Sequence, residues 1–225
     1  MSMPLLNNIC LIENSCIELF KNAKTIIKID EDMFLTKQSI AKLLNHFYDV
    51  TDLSGYVPSS IVPMINVNCL TYRTLLQRAN LLDDFERRFG KAIISDGLHH
   101  DTKVLQSSEI AEYLWRSIDI DDESLLDDEF SCEVIGSRFS IGMIVFTRDV
   151  WCEMSGFTVD LMNTQEYKRI GLGTDEKDIN RFSMMKAKPM MLDKTVLVGH
   201  LGYGPQTKHM MNLYKNGLLF DKSMI

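Results

Sequence analysis

Residues Thr25 to Asp32 read Thr-Ile-Ile-Lys-Ile-Asp-Glu-Asp, and this stretch restricts the fold more than any other. Thr25, Ile26, Ile27 and Ile29 favour a strand. Asp30 and Asp32 follow where a strand that starts inside the molecule meets solvent. Side chains two apart along an extended strand point to one side, so both carboxylates are expected to share a face. Two carboxylates so placed suit a hard divalent cation, which takes oxygen ligands and keeps positions open for substrate phosphates. Acidic residues also follow strands in ordinary loops, so the pair is weighed with the rest of the chain.

With 225 residues, 45% of them hydrophobic, the chain can bury a full core. One domain spanning residues 1–225 is the natural reading. A net charge of −7 argues against a general grip on nucleic-acid phosphates, although Arg87, Arg88 and Lys91 form a local basic group. Five cysteines, with no Cys-x-x-Cys pair, fit reduced thiols in a cytoplasmic protein better than a disulfide framework or a zinc site. No apolar run reaches membrane-spanning length, and Asn7, Asn8 and Glu13 interrupt any signal-peptide core.

In chain order, an amphipathic helix is expected from Leu5 to Ala23. The Asp-x-Asp strand comes next, then a helix that starts near Thr36, with Thr36 or a neighbour as cap, and runs to about Tyr48. A short strand broken by turns is expected within Tyr56–Asn68. One helix is expected over Thr71–Phe89 with Gly90 as its stop, then a loop over Lys91–Gln106. His99-His100 in that loop reads as solvent-exposed and not as a metal site. Ser107 or Ser108 opens a helix to Ile118. The acid-rich stretch Asp119–Glu129 lacks the turn glycine and the final glutamate of a calcium loop and reads as a solvated loop. A strand follows at Arg138–Thr147, with Gly142 marking close backbone approach. Arg148–Ser155 reads as a short helix, followed by a loop around Asn163. Thr174 is expected to cap a helix over Asp175–Met185, whose first-turn acids suit the dipole. A final strand, Thr195–Val198, delivers His200 between glycines, and a last helix runs from Gln206 to Lys215.

Each of these acidic or histidine sites follows a strand or opens a helix, positions that gather at the carboxyl edge of an open α/β sheet. Their order resembles glycosyltransferases of the GT-A fold. The segments that carry the resemblance are Ile-Ile-Lys-Ile-Asp-Glu-Asp-Met-Phe, Phe-Ser-Ile-Gly-Met-Ile-Val-Phe-Thr-Arg-Asp-Val-Trp, Met-Ser-Gly-Phe, Gly-Leu-Gly-Thr-Asp-Glu-Lys-Asp-Ile-Asn-Arg and Val-Gly-His. The resemblance implies an α/β, GT-A-like (Rossmann-like) mixed sheet flanked by helices. By the resemblance that sheet is expected to be N-terminally truncated, because only one helix precedes the Asp-x-Asp where the family has several nucleotide-binding strands. It further implies transfer of a sugar from a nucleotide-sugar donor to a carbohydrate or other hydroxyl acceptor. Asp30 and Asp32 would bind donor ribose and a Mn²⁺ or Mg²⁺, and His200 would complete the metal shell. Gly142 would line the donor-sugar pocket and Trp151 would support the acceptor side. Glu176 falls at the position of the catalytic base, with Asp175 beside it in inverted order, so either acid is a candidate. The missing strands leave two further expectations. One is a partner chain that completes the sheet; the other is an inactive GT-A-like binding or assembly module. A different metal-dependent phosphate-transfer enzyme is the third reading, and base-modifying transfer to DNA stays within the first.

Overall fold

Long β-branched runs become strands here, and the amphipathic segments between them become the helices that cover both faces. The computed structural model describes residues 5–55, 57–93, 101–136, 138–139, 141–159, 173–186 and 188–220. Helix α1 (Leu5–Leu19) leads into β1 (Thr25–Ile29), a turn, β2 (Met33–Phe34) and α2 (Ser39–Ser54). Strand β3 (Ser60–Ile65) follows, then α3 (Tyr72–Arg78), α4 (Leu82–Phe89) and α5 (Ser108–Ser117). Next come β4 (Cys132–Ile135), β5 (Met143–Thr147), α6 (Arg148–Met154), α7 (Thr174–Met185), β6 (Met190–His200) and α8 (Thr207–Lys215).

Among the described residues the chain is therefore α/β, with a mixed open sheet of six strands in the order β1-β5-β3-β6-β2, and β4 also paired to β6. Only β3 and β6 run parallel; the other pairs are antiparallel. β3 is buried at every position even though it contains Pro63. Its ladder to β6 changes register at that point, from Pro63↔Asp193 to Met64↔Leu197. On its other side β5 reaches only Ser60 and Ile61. The missing prolyl N–H thus falls where the ladder is already interrupted. The displaced residues of β6 are tied down by Asp193. This fully buried carboxylate accepts from the Thr195 N–H at 2.8 Å and lies 2.7 Å from His46 Nδ1.

The core lies between the sheet and its helices, around Leu43, Phe47, Ile61, Ile65, Tyr72 and Phe146. Several expectations need correction. The helix expected over Thr71–Phe89 is two helices, because Asn80 adopts a left-handed φ of 58° between them. The strand expected from Arg138 starts only at Met143. The last strand is 11 residues long and ends on His200, so that histidine belongs to the strand and not to a following loop. β4 lies between the acid-rich stretch Asp119–Glu129 and the strand expected from Arg138, where no element was expected. The N-cap of α2 is Gln38, a neighbour of Thr36, and it makes no side-chain cap; the Thr36 hydroxyl pairs with Ser39 Oγ at 2.6 Å. Gly173, not Thr174, precedes the first turn of α7. Ser107 and Thr147 do cap α5 and α6 with their hydroxyls. No helix among the described residues is long and apolar enough to cross a membrane.

Candidate functional site

Asp30 and Asp32 lie in a reverse turn, not along an extended strand as the sequence predicts. The Met33 N–H donates to the Asp30 carbonyl at 3.3 Å, and β2 then doubles back against the end of β6. The turn is fixed on both sides: Asp30 N–H donates to Gly142 O (2.8 Å) and Leu201 N–H to Asp32 O (3.0 Å). Met33 pairs with His200 across the ladder. The outcome is that Asp32 Oδ1 stands 3.4 Å from His200 Nε2, although the two residues are far apart in sequence. His200 is held from behind, where the Trp115 indole N–H donates to its carbonyl at 2.9 Å and Asn66 Oδ1 accepts its N–H at 3.0 Å. Gly199 admits the Trp115 ring, since a Cβ there would fall 2.4 Å from it. Burial lowers the pKa of His200 against the opposing pull of Asp32 and Asp30, which favours neutral imidazole. Its Nδ1 is buried and has no hydrogen-bond partner among the described residues.

Asp30 turns the other way, toward Lys28. The Lys28 ammonium lies 2.7 Å from Asp30 Oδ1 and 2.7 Å from Asp175 Oδ2; the second contact is an ion pair without hydrogen-bond alignment. Burial works against the charge on Lys28, but Asp175 and Asp30 overcome it and hold its pKa above the ordinary value. For Asp30, burial raises the pKa in spite of Lys28. Lys28 thereby joins the Asp-x-Asp turn to the start of α7. Gly173 makes room for this, because a Cβ on it would meet Asp175 Oδ1 at 2.6 Å.

Glu176, next in the chain, is structural in its contacts. Its Oε1 accepts from Ile141 N–H at 2.7 Å and its Oε2 from Gly173 N–H at 3.1 Å. Burial, and then repulsion from Asp175, push its pKa up to about 8. Asn180, one turn on, brackets Phe139 with two backbone hydrogen bonds of 2.9 Å. α7 thus stitches the approach to β5 in place, and with it Gly142. Helix α1 adds Glu13, whose Oε2 is buried and has no hydrogen-bond partner among the described residues. Burial, then Asp175, push Glu13 up to about 7 and the neighbouring Cys10 thiol up to about 12.

The structure therefore brings together Asp30, Asp32, His200, Asp175 and Gly142. A Cβ on Gly142 would lie 2.2 Å from Met33 Sδ and 3.0 Å from His200 Cδ2, the close approach expected of this glycine, although it sits one residue before β5 and not inside the strand. Glu176 is beside them with both carboxylate oxygens engaged. Trp151 packs in the α1–α6 junction, where its indole N–H donates to Asn14 Oδ1 at 3.0 Å and the Arg148 guanidinium lies over its ring. Gly171, Leu172, Asn163 and the His99-His100 pair lie outside the described residues. Cavities of about 170 and 540 Å³ lie elsewhere, beside Thr36–Lys42 and beside Arg116–Asp122.

Sequence reasoning missed Lys28 and Glu13. Both left a signal. Lys28 interrupts an apolar strand two residues before Asp30, on the same face. Glu13 shares a helical face with the buried Cys10 and Ile17.

Two ligands, each about 2.1 Å from one ion and about 90° apart, stand about 3 Å from each other. The Asp32–His200 separation of 3.4 Å fits such a pair, and a neutral imidazole is the form that binds metal. Asp30 is engaged by Lys28, and among the described residues no three His, Cys, Asp or Glu side chains form a ready-made metal site. The protein residues thus fit two places of a shell whose others would fall to water and to a ligand's own oxygens. No protein-family model matches the chain, and no curated protein matches it.

Proposed function

We propose that the chain is a divalent-metal-dependent glycosyltransferase of the GT-A type that moves a sugar from a nucleotide-sugar donor to an acceptor hydroxyl. The observation that carries this reading is the meeting of Asp32 with His200 at 3.4 Å, beside the Asp30–Lys28–Asp175 chain of charges. A Mn²⁺ or Mg²⁺ held by Asp32 and His200 would neutralise charge that grows on a departing diphosphate. Asp30 points toward Lys28, and the carboxylate oxygen that Lys28 does not hold is the one left for donor hydroxyls.

Transfer forms a bond from the acceptor oxygen to the anomeric carbon and breaks the bond from that carbon to the diphosphate oxygen, which leaves with the electron pair. The acceptor proton goes to a carboxylate within hydrogen-bond reach. Asp175 suits this role better than Glu176, because backbone N–H groups already claim both Glu176 oxygens. Lys28 orients Asp175, and Glu176 holds the Ile141–Gly142 backbone beside it. Burial of Asp175, Glu176 and His200 limits competing attack by water on that side of the site.

The test is incubation with a panel of nucleotide-sugars, Mn²⁺ and simple glycoside acceptors, scoring nucleoside diphosphate release and glycosylated product. The expected result is Mn²⁺-dependent product that chelation abolishes. Asp175→Asn should lower it by about 10²–10⁴-fold, the size of a lost general base. Absence of both donor cleavage and transfer across the panel, by a protein that binds Mn²⁺, would favour a second reading. That reading is a binding module of the same shape, and the structural engagement of Glu176 is the observation that favours it.

A further inference from the structure

Among the described residues, strand β1 lies at the end of the sheet and pairs only with β5. Two bonds show which of its amides face inward: Asp30 N–H donates to Gly142 O, and Arg148 N–H to Lys24 O, both at 2.8 Å. In an antiparallel ladder, residues alternate between bonded and non-bonded pairs, so residues 24, 26, 28 and 30 serve β5. Thr25, Ile27 and Ile29 turn their N–H and C=O groups outward, and no described residue pairs with them. The strand is Thr-Ile-Ile-Lys-Ile and is partly exposed along its whole length. An apolar edge of this kind is a template for another strand.

Both layers that flank this edge are unfinished in the same place. Thr25 and Lys28 point to opposite faces of the sheet. Thr25 meets Tyr48 of α2, and Lys28 meets the α7 side, where α1 packs. α1 buries Cys10 and Ile17 and leaves Ile9, Ile12 (59% exposed) and Leu19 (75% exposed) outward, followed by Phe20 (63% exposed). Ile9, Ile12, Cys16 and Leu19 recur at the three- and four-residue spacing of a helix-pairing seam. α2 exposes Ile40 and Tyr48, and β1 itself exposes Ile29.

We propose that β1 pairs antiparallel with β1 of a second copy of this chain, about a two-fold axis at Ile27. The charges around the strand select this partner. Lys21 and Lys24 precede it, and Asp30, Glu31 and Asp32 follow. An antiparallel copy sets each basic start against the other's acidic end, whereas a parallel copy sets like against like. An axis at Ile27 places Ile27 opposite itself and Thr25 opposite Ile29, so every outward amide of β1 is bonded. It also sets Lys24 of the partner subunit against Asp30, and so adds a cation to the edge of the candidate site. The contact is isologous and closes as a dimer.

Sedimentation of the full chain, with cross-linking, tests this. The expected species is a dimer. An equal mixture of Thr25→Cys and Ile29→Cys proteins forms a disulfide-linked dimer on oxidation, and neither protein alone does so beyond the wild-type background, because only the antiparallel register brings 25 beside 29. The surface variant Ile12→Glu/Leu19→Glu is expected to sediment as a folded monomer, with wild-type circular dichroism. A wild-type monomer at about 100 µM, a concentration at which standard-size interfaces are saturated, overturns the proposal. So does a dimer that survives Ile12→Glu/Leu19→Glu, or one in which Thr25→Cys cross-links to itself.

Discussion

Glu13 and Glu176 are carboxyls that burial pushes well above the ordinary carboxylate range, so the fold is expected to be sensitive to pH. Their pKa values are raised from 4.5 to about 7 and about 8, in each case by burial first and Asp175 second. An acid with a raised folded-state pKa stabilises the fold below its ordinary pKa and loses that contribution as pH climbs through the raised value. Stability from these two residues should therefore fall between about pH 4.5 and pH 8. His200 works in the opposite direction: its lowered pKa favours the neutral form, and that contribution is lost as pH drops below its ordinary 6.5. Glu13→Gln isolates the first effect. Its melting temperature should rise relative to wild type on going from about pH 5 to about pH 9; a pH-independent difference would show that Glu13 titrates normally. Glu176→Ala has a different signature. It strands the N–H groups of Ile141 and Gly173, and each unsatisfied buried N–H costs about 1–3 kcal/mol. A loss of about 2 kcal/mol or more in denaturant melts is expected.

Among the elements, the turn between β1 and β2 and the end of β6 make the site, and the glycines at their contacts control it. Gly142→Ala drives a Cβ into Met33 and His200. Overpacking of this kind costs about 1–3 kcal/mol, and the flexible Met33 absorbs part of it. Urea melts of the variant measure the cost. Asn80 separates α3 from α4 in a left-handed conformation. Asn80→Ala should destabilise by about 1 kcal/mol, and Asn80→Gly should not; equal effects of the two would mean that the break is not set by backbone preference. The elements also show what was legible in the sequence. β1, α1, α5, α6 and α8 follow from apolar period and capping residues, because their stability is local. The α3–α4 break rests on a single asparagine inside a continuous helical pattern. The length of β6 depends on its pairing with β3, β4 and β2, which no local window contains. The turn at Asp30–Met33 was hidden for the same reason: β2 exists only because His200 and Gly199 wait across the ladder.

In the whole molecule, the sheet gathers Asp32 from one end of the chain and His200 from the other, and the remaining acids arrive with α7 and α1. The meeting of Asp32 with His200 followed from treating strand ends as one edge of an α/β sheet. Lys28 did not, because a lysine inside a strand looks like an ordinary polar interruption until its two partners, Asp30 and Asp175, are seen around it. Among the described residues the same architecture leaves β1 open, so the candidate site lies beside the surface where a second copy is proposed to dock. The central claim is that Asp32 and His200 share a divalent cation whose remaining positions a nucleoside diphosphate fills. Calorimetric titration of Mn²⁺, alone and with uridine diphosphate, into the wild type, Asp32→Ala and His200→Ala tests it most directly. The account predicts one Mn²⁺ per chain, tighter with the diphosphate, and weakened at least about 100-fold by either variant with folding intact. Mn²⁺ binding that neither substitution alters, or no binding by the wild type, would contradict it.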